Sequence, residues 1–173
     1  VDALSTCLDD NCADVRESVF EMFRDGRCSL DTRALALYAS FSTEGRKNIL
    51  TLIGELNLNQ YETVILEGLH DADSEIRELA AFAYGKFSHA VRLDELRALA
   101  IQEPVVEVQV AFVRALGWHR DEAAVDLLLE MFVKTDDPFV QDAVMGSLIV
   151  IGGNHVIAAL TALLANGGVS HQA

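Results

Sequence analysis

The chain has 173 residues, of which 51% are apolar and only two are proline, and it carries a net charge of −14. The apolar fraction excludes intrinsic disorder, and scarce proline with plentiful alanine and leucine favours helices. The excess of 27 Asp and Glu over 13 Lys and Arg repels phosphate. It therefore argues against nucleic acid and against an anionic membrane surface, leaving a solvated helical surface or a basic partner.

In chain order, the apolar spacing predicts helices in pairs: 2–8 with 13–24, 31–42 with 44–56, 59–70 with 74–88, 91–101 with 104–118, and 121–133 with 138–151. A last helix over 154–165 has no second member. Cys7, Cys12 and Cys28 all fall at the start. Three cysteines do not make a disulfide framework, and Cys-x4-Cys without a second ligand pair does not indicate zinc. Idle thiols are expected, with a Cys7–Cys12 bridge as the alternative. Polar turns at 70–74 and 134–138 separate the helices of two pairs. Asp73 or Ser74, and Asp137, suit N-caps, and Pro104 and Pro138 suit first turns.

One dipeptide position recurs through the chain: Val15-Arg16, Gly45-Arg46, Ile76-Arg77, Val108-Gln109 and Val140-Gln141. The stride is about 31 residues, the signature of a helical repeat array. Apolar residues follow at offsets near four, seven and eight, one face of a helix. Glycine follows nine residues after the start in three repeats, as Gly54, Gly85 and Gly117. Gly85 and Gly117 fall near helix ends, where positive φ is favoured.

The third repeat, Asp73 through Gly85, reads Asp-x-x-Ile-Arg-x-x-Ala-Ala-x-Ala-x-Gly and resembles the HEAT-repeat family. The first repeat departs from the pattern at Val19 and Arg24, and the fourth and fifth carry Gln109 and Gln141 where the family has Arg. The resemblance implies an all-α, right-handed superhelix of about five and a half helical hairpins. It would form a single domain over 1–165, part of a longer protein, followed by a flexible tail over 166–173. It also implies that Asp14, Asp73, Arg16, Arg46 and Arg77 are structural, forming ladders between repeats. A more specific resemblance covers 104–148. The run Asp136 to Leu148 is similar to the HEAT segment of large bacterial proteins joining a dehydrogenase-like propeller to a c-type cytochrome domain. That would make the chain a connecting solenoid of an exported redox protein.

No nucleotide, metalloprotease or hydrolase motif is present, and no Cys-x-x-Cys-His for covalent haem. The five histidines are followed by Asp, Ala, Arg, Val and Gln. The His-Glu pairs of HEAT-like di-iron hydroxylases are therefore missing. HEAT-like DNA glycosylases need a cationic groove, which the net charge opposes. Nothing points to the pigment binding of phycobilin lyases. His89 and His119 occupy similar places after two helices, but no third ligand shares their phase. We expect no cofactor, no metal and no catalytic residue.

Residues 143–173 contain no charged side chain, yet Gly152-Gly153-Asn154-His155 reads as a turn between two shorter helices and not as a membrane span. The last helix is apolar where arrays usually end in a polar cap. This suggests self-association through that end or a longer parent, while the start at Val1, with no initiator Met and no signal-peptide pattern, suggests a processed product or an excised piece. The expected function is non-catalytic protein binding or interdomain scaffolding, the alternatives being the redox connector or an enzyme with a dispersed site. The partner face is expected on the second helices, at Glu17, Glu21, Lys47, Thr51, Glu78, Phe82, Gln109, Val113, Gln141 and Met145. Trp118, after Gly117, is expected to pack beneath the next turn or else to anchor a partner.

Overall fold

The computed structural model describes residues 7–27, 38–88 and 92–165. Among these there are nine α-helices and no strand, so the fold is all-α, as the repeat pattern implies. The chain divides into two compact units, residues 1–87 and 88–173. Residues 2–6 of the expected helix 2–8, most of 31–42, the thiol of Cys28, His89 and the expected tail 166–173 lie outside the described residues.

In the first unit, α1 spans Ala13–Arg24, α2 Thr43–Glu55, α3 Glu62–Leu69 and α4 Ser74–Gly85. Helices α3 and α4 form a hairpin, and α2 lies along α4. The Asp73 carboxylate caps α4 by accepting from the Glu75 and Ile76 N–H groups, which a helix start leaves without partners. Ser42 does the same for α2 through Gly45 N–H. The segment expected as a helix over 59–70 opens as a 3-10 turn, Asn59–Tyr61, before α3 begins.

In the second unit, α5 spans Leu93–Gln102, α6 Val106–Trp118, α7 Val125–Lys134, α8 Pro138–Ile151 and α9 Gly153–Ala165. Two hairpins, α5–α6 and α7–α8, stack through α6 against α8, and α9 lies on α7. Pro138 opens α8 behind the Asp137 cap. Pro104, however, precedes α6, which starts at Val106, so it sits in the connecting turn and not in the first turn of a helix.

Counting from Val15, Gly45, Ile76, Val108 and Val140, the second helices share one burial pattern. Offset four (Val19, Ile49, Ala80, Phe112, Val144) and offset eight (Phe23, Ile53, Tyr84, Leu116, Leu148) are buried throughout. At offset nine two of these helices approach the next one closely. A Cβ on Gly54 would stand 2.9 Å from that of Ala83, and one on Gly117 would stand 2.7 Å from the Cβ and Oγ of Ser147. In both cases a glycine at offset nine receives a small residue at offset seven of the next repeat. Ser147 then donates its hydroxyl to the Val113 carbonyl at 2.9 Å, stitching α8 to α6. In α8 the same offset holds Ile149, 76% exposed.

This corrects the reading of Gly85 and Gly117 as positive-φ caps: both lie inside helices. The left-handed residues come later, at Gly26, Asn57 and Arg120. There the following N–H groups reach back five residues, Arg27 to Met22, Leu58 to Ile53 and Asp121 to Leu116, closing the helix ends.

Candidate partner-binding face

The side chains at offset one fix each second helix to the chain just before it. Arg16 Nη1 donates to the Asp10 carbonyl at 2.6 Å, and Arg77 Nη1 to the Asp71 carbonyl at 2.9 Å and that of Ala72 at 3.1 Å. Gln109 Nε2 donates to the Ala100 carbonyl at 3.1 Å, and Gln141 Nε2 to that of Thr135 at 3.0 Å. The glutamines thus do with one amide what arginine does elsewhere. Arg46, at the same offset, pairs instead with the Asp71 carboxylate ahead of α4. Asp73 is a helix cap, and Asp14 lies in the first turn of α1.

Offset five is interior: Phe20, Leu50, Ala81 and Val113 are all buried. Val113 is therefore not a surface residue, which corrects its assignment to the partner face. Met145, with no repeat stacked beyond it among the described residues, is half-buried. Gln109 and Gln141 are half-buried, with their amides bound to the backbone ahead of their helices.

The exposed row runs instead through offsets two, six and ten. In the first unit it comprises Glu17 and Glu21, Lys47, Thr51 and Glu55, and Glu78, Phe82 and Lys86, each exposed or half-buried. The choices Glu17, Glu21, Lys47, Thr51, Glu78 and Phe82 lie on this row; Gln109, Val113, Gln141 and Met145 lie one residue off it. Much of the first unit's row is internally satisfied. Arg24 bonds Glu55 at 2.9 Å and Glu17 at 3.3 Å, and Lys47 pairs with Glu75. The hydrogen bond to Glu55 raises the Arg24 pKa, and that to Glu75 raises the Lys47 pKa. The Lys86 ammonium sits 4.4 Å from the centre of the Phe82 ring, which is 44% exposed.

In the second unit the row is Val110, Arg114 and Trp118 on α6, with Asp142, Gly146 and Val150 on α8. Between the two helices lies an open groove of about 350 Å³, walled by Arg114, Trp118, Asp142 and Val150 and floored by Gly117, Gly146 and Ser147. Trp118, expected to pack beneath the next turn or to anchor a partner, is 42% exposed. Among the described residues neither Arg114 nor Asp142 has an ion-pair partner. Sequence reasoning missed this groove because α6 and α8 are apolar on nearly every side, leaving little polar contrast to set their phase.

Among the described residues no three His, Cys, Asp or Glu side chains are grouped to hold a metal. No helix there is long and apolar enough to cross a membrane. Cys7 and Cys12 are not joined to each other by a disulfide. No curated protein matches the chain. Residues 93–170 match the model of the HEAT repeats. HEAT repeats generally mediate protein–protein interaction or scaffolding, and the family is generally non-catalytic. The stacked helix pairs of the second unit and the match over 93–170 together identify that part of the chain as HEAT repeats.

Proposed function

We propose that the chain is a non-catalytic binding module that takes a protein or peptide partner on the offset two, six and ten row of its second helices. The observation that carries this reading is aromatic exposure: Phe82 and Trp118 stand 44% and 42% exposed on that row while the adjoining offset-five residues are buried. Aromatic residues so placed are efficient anchors, because they bury much area at little entropy cost. The charge of −14 favours a basic partner through long-range attraction. Partners recovered by co-purification and then titrated as pure proteins provide the test. Phe82→Ala with Glu78→Lys, or Trp118→Ala, should weaken binding without altering melting. Equal binding by these variants, with loss in Asp94→Lys on a first helix, would overturn the face. Stoichiometric metal or a chromophore in the purified protein would overturn the non-catalytic reading.

A second reading concerns self-association. Ile149, Ile157 and Leu164 are 76%, 63% and 73% exposed on α8 and α9, which have no charge after Asp142. Apolar exposure of this kind marks an interface. Light scattering over a dilution series should show a dimer that Ile157→Glu with Leu164→Glu makes monomeric; a monomer at high concentration removes the reading.

A further inference from the structure

Gly146 is an interior helical glycine that no packing demands. It lies in the middle of α8, and a Cβ built on it would meet no atom within 4 Å. Gly54 and Gly117 stand differently, since a Cβ on either would strike the neighbouring helix. Glycine in mid-helix is destabilising relative to alanine, so a position with room for any side chain gains nothing in stability from having none. What the missing side chain does is leave the floor of the α6–α8 groove open.

We infer that Gly146 determines specificity: it keeps a socket for one bulky apolar side chain (Trp, Phe, Leu or Met) from a basic peptide segment of a protein partner. This rests on the protein-binding reading and narrows it. The groove volume, about 350 Å³, suits one large side chain with its adjoining backbone. Trp118 supplies an aromatic wall and Val150 an aliphatic one. Arg114 has donors for the carbonyls of a bound peptide. Asp142, which also lines the groove, receives the peptide's cation. An acidic segment would meet both Asp142 and the field of a strongly negative chain, so the charges select a basic one.

The test uses the full chain as bait for a display library of short random peptides, with hits resynthesised and titrated. Trp118 is the chain's single tryptophan, so its emission reports occupancy of the groove directly. The expected peptides share one bulky apolar residue beside Lys or Arg and shift Trp118 emission to the blue. Their affinity should fall about tenfold or more in Gly146→Leu, which fills the socket while retaining wild-type helicity. Asp142→Lys should weaken them similarly. Should Gly146→Leu melt early, Trp118→Phe and Asp142→Lys carry the test. Peptides that bind Gly146→Leu and Asp142→Lys as well as wild type, but lose affinity to Phe82→Ala, would overturn the socket and leave the wider face standing. Peptides indifferent to all of these variants, or a library yielding no shared sequence, would overturn both.

Discussion

At the scale of single residues, the same substitution has opposite consequences at two glycines one helix apart. Gly117→Ala would drive a methyl into Ser147, and overpacking of this kind costs about 1–3 kcal/mol. Gly146→Ala meets nothing and should stabilise by about 0.5–1 kcal/mol, the gain expected for a helix interior. Paired urea titrations would show the midpoints moving in opposite directions. The repeat position of Gly117 was visible in the sequence, as glycine nine residues after three of the five starts, but its reason was not. A sequence gives spacing, and only the approach of α8 shows that bulk, not φ, is what glycine avoids there. Tyr38 was not visible at all. Its phenol is buried with no hydrogen-bond partner among the described residues, and burial first, then the charge of Asp71, pushes its ionisation well above the ordinary phenol range, with Arg46 opposing. The folded state therefore holds that proton more tightly than the unfolded chain does. Stability is full below the ordinary value of 10.0 and falls as pH rises beyond it. Tyr38→Phe should remove this part of the alkaline loss and leave stability at neutral pH unchanged or higher, since it deletes an unpaired hydroxyl. Denaturant titrations on either side of that pH would show both effects.

At the scale of elements, the helices are held by short side-chain bonds at fixed register. Arg97 on α5 donates to Asp121 at 2.6 Å, and Asp121, only 7% exposed, also accepts from the Ala123 N–H. Asp121→Ala would strand a partly buried guanidinium and free a helix-start N–H, costing about 1–3 kcal/mol; thermal melts should show it, with less loss for Arg97→Ala, which leaves the cap. Gln109→Leu should cost about 0.5–1.5 kcal/mol through the lost bond to Ala100, and Gln109→Arg should restore part of it. The second helices were legible in sequence to within about three residues, because most carry an Ile/Val-Arg or Val-Gln start and two follow a polar turn. The first helices were less so: 3-10 turns at Asn59–Tyr61 and Glu122–Ala124 delay α3 and α7. Phase was legible wherever charge alternated with apolar residues, as in α1, α2 and α4. It slipped by one position in α6 and α8, where Val110, Ala111, Phe112 and Val113 follow each other and only packing against the neighbour shows that Val113 is inside.

At the scale of the molecule, the charge of −14 sets a repulsion that folding must carry. Raising salt shortens the range of that repulsion, so the melting temperature should rise with ionic strength while affinity for a basic partner falls. A calorimetric series in sodium chloride would read the first and peptide titrations the second. The exposed Ile149 has a consequence at this scale as well. Where Gly54 and Gly117 let the following helix nest against bare backbone, α8 presents a branched hydrocarbon. A further helix packed on α8 by the same recipe would be held off by the width of that side chain. Whatever lies against that end must bring a recess of its own to receive the isoleucine.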